Sequence, residues 1–332
     1  MIGFCTSPLF YQHPTRPDHP ERPQRLAAIF HAVRAAGLVD SPNPLPVPEF
    51  SFENVAPAGF KVRELTPHPA DEKWIQTVHP ATHIEHIREA CRDSQILDDG
   101  DTPVGPASFE AAILAVGALL TCCDEVATGR LRRAFAAVRP PGHHAEPNAA
   151  MGFCLFANVA IAARYLQQKH QVGKVAIVDF DVHHGNGTQA AFEEDPSVLF
   201  ISIHQDGRTC YPGTGRVEET GRGRGDGFTL NIPLFPGCGD AEYLEAMDEK
   251  VLPRLDQFRP EFLLLSAGFD AHADDPLASM RVTDDGFSQI TRRLMAVADS
   301  HCHGCVVSAL EGGYDLAALA RCVVGHVVGM KG

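Results

Sequence analysis

From residue 134 to residue 330 the sequence alternates short apolar runs with longer segments whose apolar residues recur at helical spacing, and few folds accept that rhythm. Residues 134–138, 175–180, 198–204, 228–232, 262–266 and 304–310 read as strands. Residues 157–170, 187–194, 241–258, 284–300 and 316–330 read as the helices between or after them. Val175 to Val178 is apolar throughout rather than alternating, which suits a strand covered on both faces. Strand and helix in turn predict a mostly parallel sheet between two helical layers.

The first 130 residues are less regular. Residues 1–6 suit a first strand, and residues 11–25, with His13, His19 and a proline every third position from Pro14 to Pro23, suit a loop. A helix is expected to open at Pro23 and close near Gly37. Residues 41–48 read as an irregular proline-rich connection, 70–78 and 80–91 as two short helices, 98–106 as a loop, and 108–128 as a long helix ending before Gly129. His83 and His86 have no acidic or cysteine partner at suitable spacing, so both are expected to be solvated helix residues.

A length of 332 residues allows two average domains or one large one; with no Ser/Gly/Pro linker, a single domain over 1–332 is expected. The formal charge of −14 argues against a nucleic-acid surface and weakly favours cationic ligands. Ten scattered cysteines in a chain of this size point to a reducing compartment rather than to disulfide staples. Neither a signal peptide nor an apolar run long enough to span a bilayer is apparent, so no membrane partner and a cytoplasmic location are expected.

Reactive side chains gather just past the strands. Residues 175–178 lead into Asp179, Asp181, His183 and His184 before Gly185-Asn186-Gly187. In extended chain, Asp179, Asp181 and His183 would share one side and His184 the other. The strand at 134–138 leads into Arg139-Pro-Pro-Gly-His143-His144, that at 262–266 into Asp270, and that at 304–310 into Glu311-Gly-Gly-Tyr314. In an open α/β sheet such endings converge on one crevice. Asp181, His183 and Asp270 together make a three-ligand set with room for water, as in a catalytic rather than a structural zinc site. His143 and His144 suit acid–base work, and Tyr314 suits stabilisation of an oxyanion. His301-Cys302-His303-Gly304-Cys305 has metal-like spacing but falls at a helix–strand junction without a second ligand pair, and Cys122-Cys123 reads as helix core.

These residues carry a resemblance. HPERPQRL at 19–26, RPPGHHA at 139–145, GFC at 152–154, DFDVHHGNGTQ at 179–189, YPGTG at 211–215, SAGFDAH at 266–272 and LEGGYD at 310–315 stand in the order found in the zinc-dependent histone deacetylase family. The likeness extends to its class II-like members, the bacterial deacetylase-like amidohydrolases and acetylpolyamine amidohydrolases. It implies an arginase/deacetylase-like three-layer α/β/α fold on an eight-stranded, mostly parallel sheet. It assigns one zinc ion to Asp181, His183 and Asp270, general base and acid to His144, and carbonyl polarisation to Tyr314. His143, paired with Asp179, becomes an electrostatic helper, and Asn186 orients His144. Gly152, Phe153 and Tyr211 would line an acyl-lysine tunnel, and Arg25 would lie near an acetate exit. Asp101 matches an aspartate that holds substrate backbone, although a turn-capping role fits its local sequence equally well. The resemblance also implies potassium or sodium sites, an inner one at Asp179, Asp181, His183, Ser202 and Ile203 and an outer one at Phe192, Asp195, Val198 and Phe228.

Three departures qualify this. Asn186 replaces the aspartate of many class I members, Tyr211 replaces the usual phenylalanine, and Leu277 stands where a polyamine-selective relative has a glutamate. The expected reaction is hydrolysis of an acetyl or other short acyl group from a lysine side chain in a protein or peptide. Acetylated polyamine is the alternative substrate, and a non-catalytic acyl-lysine-binding scaffold the alternative of another class. A binuclear manganese hydrolase of the arginase type would need a second ligand set that the sequence does not offer. Assembly into a homo-oligomer stays an open alternative.

Overall fold

Ile2–Cys5 (β1) enters the interior at once, all four residues buried. In this computed structural model, which describes residues 1–41 and 57–331, β1 is followed by a 3-10 turn at Pro8–Gln12 and by helix α1, Gln24–Ala35. Pro23 precedes the helix with φ already helical, and Gly37 ends it at φ +72°. There the Gly37 amide donates to the Arg34 carbonyl and the Leu38 amide to the Val33 carbonyl, the 5→2 and 6→1 pair of a left-handed helix stop. Of the expected irregular connection at 41–48, only Ser41 lies within the described residues.

Strand β2, Arg63–Leu65, was not foreseen; it is three residues long and partly exposed, so it lacks an apolar run. The helix expected at 70–78 is one turn, α2 (Glu72–Ile75), and that at 80–91 is α3 (Ala81–Arg92). His83, expected to be solvated, is buried: its ring stacks on His79 at 4.7 Å and its Nε2 lies 3.1 Å from the Leu155 carbonyl oxygen. The segment 98–106, expected to be loop, starts as the tip of a hairpin between β3 (Ile96–Leu97) and β4 (Thr102–Pro103).

Helix α4, Ser108–Ala127, is crossed so closely by the chain at 68–70 that a methyl group on Gly117 would strike the His68 carbonyl. Gly117→Ala is therefore expected to destabilise the fold by about 1–3 kcal/mol despite alanine's better helix propensity, readable as a lower denaturant midpoint at unchanged m.

The rest follows the sequence rhythm: β5 (Arg133–Ala136), α5 (Asn158–Lys169), β6 (Val175–Asp179), α6 (Asn186–Phe192), β7 (Val198–Gln205) and β8 (Thr229–Leu234). The helix expected at 241–258 is α7 (Asp240–Ala246) and α8 (Leu252–Phe258), joined by a π turn at Met247–Val251. Strand β9 (Phe262–Ala267), α9 (Asp284–His301), β10 (Val306–Leu310) and α10 (Leu316–Gly329) complete the chain.

Eight strands form one sheet in the order β2-β1-β5-β10-β9-β6-β7-β8, every pair parallel. Helices α1, α10 and α9 pack in succession, as do α4 and α5, and between them the sheet's central strands are wholly buried. Because the strands run one way, the endings of β5, β6, β9 and β10 all emerge at the same edge. All ten cysteines are free thiols, and no helix among the described residues is long and apolar enough to cross a membrane.

Candidate active site

The carboxyl ends of β6 and β9 deliver Asp181, His183 and Asp270 to one buried point, their ligand atoms within 4.8 Å of one another. His183 Nδ1 lies 3.0 Å from Asp181 Oδ1 and 3.1 Å from Asp270 Oδ2. The remaining carboxylate oxygens are held by backbone: Gly312 N–H donates to Asp181 Oδ2 at 2.7 Å and Val182 N–H to Asp270 Oδ1 at 2.9 Å. Side chains at Gly268 and Gly312 would collide with these carboxylates, so the glycines are what allow the strand endings to close on them. Two carboxylates and an imidazole, buried and converging, fit a divalent borderline metal such as zinc.

Asp179 is not among the converging ligand atoms: its Oδ1 accepts from the Asp181 amide at 3.1 Å and its Oδ2 from His143 Nδ1 at 3.0 Å, while His143 Nε2 lies 3.8 Å from Asp181 Oδ1. His184 is also elsewhere, between Thr214 Oγ1 at 2.8 Å and Gln189 Oε1 at 2.9 Å.

Past β5, the rings of His143 and His144 lie 3.9 Å apart, each with its own partner. Burial opposes charge on His143, but the Asp181 and Asp179 carboxylates outweigh it and lift its pKa to about 10. His144 is the reverse: burial, then the neighbouring His143 and His183, hold it well below the usual imidazole value. Its Nδ1 lies 2.7 Å from Asn186 Oδ1, and the Asn186 amide is oriented in turn by donating to Glu146 Oε1 at 2.8 Å.

Above these groups opens a pocket of about 260 Å³, whose lining includes Asp101, His144, Gly152, Phe153, His183, Tyr211, Leu277 and Tyr314. The substrate-side residues expected from sequence thus meet at one cavity, Asp101 and Leu277 at its exposed rim. Asp275, not singled out in the sequence, fixes the Tyr314 loop by accepting from the Tyr314 amide at 2.7 Å. Arg25 is buried with its guanidinium carbon 4.9 Å from the Tyr314 ring centre. Glu311 is the other residue sequence reasoning passed over: its Oε2 accepts from the Gly142 and His143 amides at 2.7 and 3.1 Å, and burial lifts its pKa to about 7. Its sequence signals are a carboxylate inside an apolar-to-glycine strand ending and its place in LEGGYD at 310–315.

Some of the residues expected at monovalent cation sites are neighbours. Asp179 and Ser202 are register partners on β6 and β7, and Ile203 follows. The amide of Asp195 donates to the Phe192 carbonyl at 2.9 Å and that of Val198 to the Asp195 carbonyl at 3.4 Å, while the Phe228 carbonyl accepts from Phe200. One further cluster, His272, Asp284 and Cys322, has metal-like proximity, but Arg321 Nε donates to Asp284 Oδ2 at 2.7 Å and already balances that carboxylate.

A buried triad and paired imidazoles stand together at the carboxyl edge of a parallel sheet, where open α/β proteins bind their ligands. The family described as the histone deacetylase domain matches residues 19–330, and the chain belongs to that family. A probable deacetylase of Archaeoglobus fulgidus is 38% identical over 334 residues, covering 100% of this chain and 87% of its own length. A histone deacetylase-like amidohydrolase of Pseudomonas aeruginosa is 42% identical over 265 residues, 80% of this chain and 69% of its own. The crystal structure of the HDA15 HD domain superposes with a TM-score of 0.87 at 35% identity, covering 99% of this chain and 90% of that one. The arginase-like deacetylase fold expected from the motifs is therefore the fold observed, and the family is one of deacetylases and amidohydrolases.

Proposed function

We propose that this protein, as one catalytic domain, hydrolyses acetyl and other short acyl groups from lysine side chains with a zinc ion held by Asp181, His183 and Asp270. The observation that carries the reading is the meeting of that triad with two imidazoles whose pKa values are shifted in opposite directions, His144 and the ligand His183 lining the pocket. Zinc, when bound, supplies Lewis-acid polarisation of the amide carbonyl and of water.

The protein's own groups do the rest. His144 Nδ1–H donates to Asn186 Oδ1, which leaves Nε2 with its lone pair free to take a proton from the attacking water. That proton then passes to the leaving amine. His143, protonated between carboxylates, places positive charge beside the developing anion. Burial, then the charge of Asp270, holds the Tyr314 hydroxyl far above its ordinary pKa, so it remains a donor for the tetrahedral oxyanion. Phe153 and Tyr211 flank the path of the alkyl stem.

Tyr314→Phe is expected to lower kcat on an acetyl-lysine peptide about 10²–10³-fold with little change in KM. Wild-type turnover by that variant sinks the assignment and, with it, the donor role of the hydroxyl. Running acetylputrescine and acetylspermidine beside the peptide decides the polyamine alternative, and absence of turnover on all of them leaves the non-catalytic scaffold. Potassium or sodium at the inner and outer positions, and a cytoplasmic location supported by the unpaired cysteines, accompany the reading.

A further inference from the structure

We propose that Asp98 is a positioning residue that ties the two walls of the pocket together, one carboxylate oxygen accepting from both the Gly152 amide and the Tyr211 hydroxyl. The distances to Asp98 Oδ2 are 2.8 Å and 3.1 Å. Gly152 and Tyr211 lie about sixty residues apart in the chain, both line the pocket, and both press on the same catalytic ring. The Tyr211 ring centre is 5.0 Å from that of His144, and a methyl group on Gly152 would collide with the His144 ring. Fixing these two walls fixes the slot between them.

The bond depends on Tyr211 being tyrosine. A phenylalanine there would leave Asp98 attached to one wall only. Burial, then the adjacent Asp98, keeps the Tyr211 hydroxyl far above its ordinary pKa, so it serves as donor and not as a second anion. The hairpin tip is shaped for this contact. Asp98, Asp99 and Gly100 take φ of +52°, +50° and +104° in succession, a left-handed run unfavourable for the two aspartates. It is held by the Asp101 amide donating to the Leu97 carbonyl at 3.2 Å and by an Arg16 N–H donating to the Gly100 carbonyl at 3.3 Å. Thr102 Oγ1 completes the attachment, accepting from the Phe153 amide at 3.0 Å.

The clamp therefore selects for a thin, unbranched alkyl stem, and this part rests on the acyl-lysine reading above. Asp98→Ala, which removes the acceptor oxygen, Tyr211→Phe and the double variant test it. Each single change is expected to raise KM for an acetyl-lysine peptide roughly threefold to tenfold, the loss falling on KM more than on kcat, as for the net worth of one ordinary hydrogen bond. The double variant is expected to be no worse than the worse single, because both changes break the same link. Independently of turnover, amide hydrogen exchange at Gly152 in metal-free protein is expected to quicken in Asp98→Ala and also in Tyr211→Phe, with α4 unchanged as the control for folding. Multiplicative KM effects, or Gly152 exchange indifferent to Tyr211→Phe, overturn the clamp. Coupled exchange in a protein that turns over no acyl-lysine peptide supports the clamp and overturns the substrate reading alone.

Discussion

His144→Ala is expected to lower kcat on an acetyl-lysine peptide about 10²–10⁴-fold while leaving zinc content at one per chain. The size follows from the work assigned to one ring nitrogen, which both accepts a proton from water and returns it to the amine. No neighbour can substitute. His143 Nδ1 is committed to Asp179 at 3.0 Å, and against the opposing effect of burial the Asp181 and Asp179 carboxylates favour its protonated form, which has no lone pair to accept with. His144 lies outside the triad, so metal analysis of the variant separates loss of the base from loss of the ion. A variant with normal zinc and a kcat within threefold of wild type would transfer the base role elsewhere. His143→Ala is the informative comparison, since it removes charge and not the acceptor, and a smaller loss is expected there.

How much of this centre the sequence discloses depends on whether a residue's role is local. Strands β5, β6, β7, β9 and β10 could be read because a parallel strand buried on both faces leaves an apolar run, and the reactive residues because they stand directly after such runs. Strand β2 was missed because Arg63–Leu65 sits at the sheet's edge, where burial leaves little pattern. His83 was misjudged because helical spacing shows which residues are neighbours on α3, not that Leu155 and His79 come from elsewhere to cover one of them. The Asp98 contacts belong to this last kind. Gly152 and Tyr211 meet the carboxylate only after the hairpin and two distant loops have come together. The motif likeness supplied what spacing could not, namely which histidine of the 143–144 pair faces which partner.

Removing zinc with a chelator is expected to abolish turnover, and one equivalent per chain to restore it. The same ion should stabilise the fold. Asp181 and Asp270 are fully buried: Asp270 is raised by burial and then by Asp181 beside it, while at Asp181 burial is outweighed by the His143 and His183 imidazoles, which hold the carboxyl below its usual range. A divalent cation at the triad offsets that repulsion in the native state only, since the unfolded chain has no such convergence of Asp181, His183 and Asp270. At free zinc near a thousand times Kd the linkage amounts to about 4 kcal/mol. For 332 residues the unfolding entropy is roughly 0.7 kcal/mol/K, so the ion should raise Tm by roughly 6 °C. Asp270→Asn removes one carboxylate, which weakens zinc binding and relieves the repulsion. Its metal-free form should therefore melt no lower than metal-free wild type, while gaining little when zinc is added. A scan of the four samples checks this, and a variant that gains as much from zinc as wild type would remove Asp270 from the ligand set.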